Sequence, residues 1–113
     1  MINLPRIEDH RGNLSFIEHS PTGVCPFEID SVEWIYDVPA GSSHPLASCR
    51  GRQSMIVAMS GSFDVIVDGP QGPQCHTLNR SDRAVAISEA DVVELANFST
   101  NSAALIISSK PKI

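Results

Sequence analysis

Apolar residues in this chain recur at every second position, in short runs that glycine and proline keep interrupting. That pattern is the strongest constraint on the fold, because a period of two puts alternate side chains on one face of a β-strand. Residues 14–18 read as a first strand, and Val32, Trp34, Tyr36 and Val38 fall on one face of a second. Residues 55–59 form a near-continuous apolar run, as expected of a strand buried on both faces. Ser60-Gly61 then supplies a tight turn, since glycine takes the positive φ such turns require, and Phe63, Val65 and Val67 alternate beyond it. Residues 68–73 hold two glycines and two prolines and read as a loop outside the ladder. Further strands are expected over 75–78, 84–87, 92–96 and 103–108. No stretch sustains a 3.6-residue period, so little or no helix is expected. Short strands at this spacing predict an all-β sandwich or jelly roll.

A chain of 113 residues is expected to form one domain over 1–113, since a single core suffices at that size. Its formal net charge of −5 argues against a nucleic-acid partner, which would need clustered lysine and arginine. No run approaches the roughly 20 apolar residues that cross a bilayer, and the first residues lack the basic and apolar regions of a secretion signal. No membrane partner and a cytoplasmic location are therefore expected. Cys25, Cys49 and Cys75 are odd in number and widely spaced, which favours free thiols over a zinc site or a disulfide framework. Arg50 and Arg52 form one local cationic group, suited to solvent or to a phosphate.

Several strings carry a resemblance to a known family. Glu8-Asp9-His10-Arg11-Gly12-Asn13-Leu14 is similar to the opening E-D-x-R-G-N-L of the WxcM-like cupins. Ile35-Tyr36-Asp37-Val38-Pro39-Ala40-Gly41 resembles their I-Y-D-V-P-A-G stretch, and Ser60-Gly61-Ser62-Phe63 their S-G-S-F turn. Leu78-Asn79-Arg80 and Asn97-Phe98-Ser99 match two later blocks, all in the family's order and spacing. The resemblance implies a cupin jelly roll, a double-stranded β-helix. It also implies kinship with nucleotide-sugar 3,4-ketoisomerases, which convert a thymidine-diphosphate-linked 4-keto-6-deoxy sugar into its 3-keto form. It further implies dimers with exchanged N-terminal strands, and an acidic, aromatic tail where this sequence has Ser109-Lys110-Pro111-Lys112-Ile113.

Catalysis in the family is attributed to an H-x-H pair placed after V-P-A-G. Moving a keto group between neighbouring carbons through an enediol needs a base at one carbon and an acid at the oxygen of the other, roles that suit histidine. At the positions of that pair this sequence has Ala47 and Cys49. The preceding arginine is replaced by His44, and the two glycines between by Pro45 and Leu46. The later P-P-G-x-W-H block is replaced by Ser88-Glu89-Ala90-Asp91-Val92-Val93. Scaffold strings are kept and site strings are lost. The metal-binding cupin pattern fails at the same places: Ala47, Cys49, Gln53 or Ser54, and Val93 offer at most one soft ligand, so no metal and no cofactor are expected.

The remaining catalytic candidates are His44, Cys49 and Tyr36; the ligand-binding candidates are Arg11, Tyr36, His44, Ala47, Cys49 and Val93. His44 suits a phosphate or sugar oxygen, or plain solvation in its loop. Cys49 suits a reactive thiolate or a small apolar filler. Arg11 suits a diphosphate, through its planar fork, or a local ion pair with Glu8 or Asp9. Trp34 and Tyr36 suit a core, a dimer interface or a base-stacking platform. Three functions remain open. The first is a degenerate, non-catalytic relative that binds a thymidine-diphosphate sugar or pairs with itself or an active paralogue. The second is an isomerase or epimerase using His44, Tyr36 and Cys49. The third is a binder with an apolar barrel pocket formed by Ala47, Val92 and Val93.

Overall fold

The computed structural model describes residues 1–111. Lys112 and Ile113, the end of the segment standing where the family has its tail, lie outside the described residues. The strands are β1 (Ile2–Asn3), β2 (Arg6–Ile7), β3 (Leu14–Ser15), β4 (Ser31–Ile35), β5 (His44–Pro45), β6 (Ser54–Ser60), β7 (Phe63–Gly69), β8 (Gly72–Leu78), β9 (Arg83–Ile87), β10 (Val92–Ala96) and β11 (Ala103–Ser108). The one helical element among the described residues is a 3-10 turn over Ala47–Cys49. A five-stranded sheet runs β1-β9-β6-β11-β4, a four-stranded sheet runs β5-β10-β7-β8, and β2 and β3 pair as a small hairpin. Every strand pairing is antiparallel, which makes this the all-β jelly roll expected.

Alternation builds the interior. Phe63, Val65 and Val67 of β7, with Val93 and Leu95 beside them on β10, pack in one cluster with Ile56, Ala58, Val85, Ile87, Ala104 and Ile106 of the other sheet and with Phe98. Each such side chain contributes about 1.5–3 kcal/mol on burial. The other face of the five-stranded sheet has its own apolar layer, in which Met55, Val57, Ala84 and Ile107 lie under Leu4, Cys25 and Phe27. This second layer explains the continuous apolar run in β6: Ile56 and Ala58 point inward, Met55 and Val57 outward, and all four are buried. Met59 lies beyond that cover and is exposed. The turn into β7 depends on glycine twice over. Gly61 has φ +66°, and a Cβ there would stand 2.5 Å from Ser102 Oγ.

Four local expectations are corrected. The first strand covers only Leu14–Ser15 rather than 14–18. The second stops at Ile35, because Asp37 turns the chain with φ 56°, so Tyr36 and Val38 lie outside it. Trp34 is not core: it stands opposite Leu105 on the outward face of β4, an outermost strand, and is 61% exposed. Finally, 68–73 is no loop outside the ladder. Asp68 pairs with Pro73 and Gly69 with Gly72, leaving only Pro70 and Gln71 in the turn. β8 is the outermost strand of its sheet, and a proline on an edge strand costs no ladder bond when its nitrogen faces the open side.

Candidate ligand site at the barrel mouth

Strand pairing sets the geometry of the site. Val93 stands opposite Val67, and Val67 opposite Gln74. Leu46 continues this row, donating its N–H to Val93 O at 3.0 Å. The next inward row reads His44, Leu95, Val65, His76. Directly opposed residues share a face of the sheet. His44 and His76 therefore occupy the two edges of one row, three strand spacings or roughly 14 Å apart, with Leu95 and Val65 between them.

The family's histidine positions lie just beyond Leu46, where the chain leaves the ladder. Cys49 N–H donates to Leu46 O at 3.3 Å and Arg50 N–H to Ala47 O at 3.2 Å, and Gly51, with φ +73°, ends the turn. Residues two apart share a face on a strand but not on a 3-10 turn of three residues per revolution. Ala47 is exposed, while Cys49 is 1% exposed and belongs to the core. Burial pushes the Cys49 thiol up, as does the charge of Glu33; hydrogen bonding to Ser54 and Ser48 and the charge of Arg52 oppose this. Cys49 is thus a thiol in an apolar setting rather than a ready nucleophile. Beside it, Ser54 and Ser108 share a buried hydroxyl pair at 2.8 Å.

The other candidates scatter. His44 is exposed, and its Nδ1–H donates to Pro45 O at 3.1 Å. Tyr36 is 63% exposed, beyond the end of β4. Val93 is 3% exposed and packed in the barrel core, whereas its neighbour Val92 faces solvent. Ala47, Val92 and Val93 therefore do not line a common apolar pocket, since neighbours on a strand point to opposite faces. Arg11 makes a bidentate pair with Asp9, Nε to Oδ1 at 3.2 Å and a terminal nitrogen to Oδ2 at 3.0 Å. That pairing holds the Asp9 carboxyl below its usual range and raises Arg11. Arg11 also lines an open surface cavity with Ile7, Asp9 and Leu14. Arg52 is tied to Ser109 O at 3.3 Å and to Asp30 at 3.8 Å, while Arg50 is exposed. Among the described residues no three His, Cys, Asp or Glu side chains converge.

Leu46, Cys49, Ile87 and Val93 are buried together in the barrel core. Open space remains to one side, where a cavity of about 350 Å³ is bounded by Val67, Gln74, His76, Ser88 and Asp91 together with the β7–β8 turn. Sequence reasoning missed His76 and Gln74. Their signal is the alternation Gln74, His76, Leu78, which points to the barrel only once the pairing of residues 68–73 fixes the register against β7.

These features define an antiparallel jelly roll with its candidate site at one mouth, the architecture of the cupins. The sequence matches the FdtA family, described as WxcM-like, C-terminal, over residues 1–111, and the chain belongs to that family. A curated relative, the TDP-4-oxo-6-deoxy-alpha-D-glucose-3,4-oxoisomerase of Aneurinibacillus thermoaerophilus, is 27% identical over 109 residues, covering 96% of this chain and 77% of that protein. Among solved structures, the WlaRB TDP-quinovose 3,4-ketoisomerase of Campylobacter jejuni superposes with a TM-score of 0.82 at 30% identity, over 98% of this chain and 84% of its own. A mutant of the 3,4-ketoisomerase QdtA from Thermoanaerobacterium thermosaccharolyticum, in complex with TDP-4-keto-6-deoxyglucose, superposes with a TM-score of 0.85 at 21% identity, over 99% and 80%, and supports the fold.

Proposed function

We propose that this chain is a ketoisomerase-like cupin that binds a thymidine-diphosphate sugar without carrying out the 3,4-shift. The observation behind this reading is the state of Ala47 and Cys49, one exposed methyl and one buried thiol on a 3-10 turn. Enediol chemistry needs two groups that exchange protons near neutral pH, both reaching one sugar. Neither residue supplies such a group, and the turn directs them apart. The isomerase reading with His44, Tyr36 and Cys49 has less support, because two of these are exposed and the third is in the core. The apolar-pocket reading has less support, because Ala47 and Val92 are exposed while Val93 is packed in the core.

Binding is supported by family membership and by relatives crystallised with TDP or a TDP sugar. On this reading residues 1–113 form one cupin domain that works in the cytoplasm without metal or cofactor, as a homodimer or paired with an active paralogue. Val32 and Trp34, exposed on the edge strand β4, favour such pairing.

Thermal unfolding with and without thymidine diphosphate tests the binding. A ligand selective for the folded state stabilises it by about 2.7 kcal/mol at a hundredfold excess over Kd. A rise in Tm is the expected result; an unchanged Tm at millimolar ligand removes the nucleotide-sugar reading.

A further inference from the structure

The cavity beside the barrel core has the chemistry of a carbohydrate pocket. It lies where the two sheets part, between the edge strand β8 and β9, whose outer neighbour β1 pairs only with Arg83 and Ala84. Gln74 and His76 reach it from the inward row of β8, opposite Val67 and Val65. Neither side chain has a hydrogen-bond partner among the described residues; His76 is half-buried and Gln74 exposed. Asp91 faces them from the loop before β10, held by Ser88 N–H donating to its Oδ2 at 2.8 Å. Its other oxygen lies against Gly69, where any Cβ would collide with it. The acceptor is thus fixed by a backbone bond and by a glycine that leaves it room.

The lining sorts among ligands. Amide, imidazole, hydroxyl and carboxylate groups supply donors and acceptors for several hydroxyls, and Val67 and Pro70 offer an apolar surface to ring carbons. No lysine or arginine lines the cavity, and the Asp91 carboxylate repels a phosphate. At about 350 Å³ it falls at the small end of ligand pockets. We propose that this cavity takes the sugar ring of the nucleotide sugar, with Gln74 and His76 as its hydrogen-bonding residues and the diphosphate outside. The proposal rests on the nucleotide-sugar reading and moves the ring from the barrel centre to the seam between the sheets.

Affinities of the full chain for TDP-4-keto-6-deoxyglucose and for TDP, with His76→Ala and Gln74→Ala beside wild type, test it. The expected result is a loss on the order of tenfold for the TDP sugar in each variant, the size of one lost hydrogen bond, with TDP affinity unchanged. Wild-type binding of the sugar that neither variant weakens would overturn the cavity assignment and leave the nucleotide-sugar reading standing. Failure of wild type to bind either ligand would overturn both. Should a variant fail to fold, the ring signals of His76 in wild-type NMR spectra decide: they shift on saturation with the TDP sugar but not with TDP, and unmoved signals overturn the proposal.

Discussion

Ala47 and Cys49 are two residues apart, yet one lies in solvent and the other in the barrel core, because the backbone between Leu46 and Arg50 makes a 3-10 turn instead of continuing β5. Ala47 and Cys49 therefore face different surroundings, one solvent and the other the core. Reinstating imidazoles tests this. Cys49→His forces a larger polar ring into the core beside Ser54 and should lower stability by about 1–3 kcal/mol. Ala47→His should cost no more than about 0.5 kcal/mol, as an exposed substitution. Denaturant unfolding measures both, and the double variant is expected to show no ketoisomerase turnover.

Thiol chemistry separates the three cysteines. Cys75 is exposed, whereas Cys25 and Cys49 are buried and burial pushes both thiols up. Titration of the native protein with a disulfide reagent at pH 8 should show one fast thiol, with the other two appearing only on unfolding. Fast reaction at Cys49 would restore it as a candidate nucleophile.

Acid stability should depend on Asp64. Its carboxylate accepts from Thr77 Oγ1 and from Asn97 Nδ2, each at 2.7 Å, and these bonds lower its pKa from 3.8. A lowered folded value means the stabilisation is fully present above the unfolded pKa of 3.8 and is lost as pH falls through the folded one. Asp64→Asn should flatten the acid limb of a stability–pH curve below about pH 4, leaving the neutral region with little pH dependence of its own.

The Ser54–Ser108 hydroxyl pair joins the start of β6 to the end of β11 inside the barrel. Removing one hydroxyl strands the other in a buried site, so Ser54→Ala should cost about 1–3 kcal/mol. The double alanine variant should cost clearly less than the sum of the two singles, because both partners leave together.

Legibility in the sequence followed burial. β10 and β11 were readable to the residue as 92–96 and 103–108, and β7 by its strict alternation, since each buries at least one whole face. β1, β2 and β5 were not read, because two-residue strands carry no period. The core alternative for Trp34 fell because period two identifies a face without saying which face is covered. At the site, the replacements at 47, 49 and 93 were visible, but the 3-10 turn that separates Ala47 from Cys49 was not. His76 was hidden by a register that only the two-residue turn at Pro70-Gln71 fixes.

The most direct test is a proton NMR time course of purified protein with TDP-4-keto-6-deoxyglucose. With Ala47 and Cys49 in place of the imidazole pair, the predicted result is no 3-keto sugar above the enzyme-free rate, while the ligand's signals broaden as it binds. Steady conversion over many turnovers would contradict that reading and make the chain an active isomerase working through residues outside the H-x-H positions.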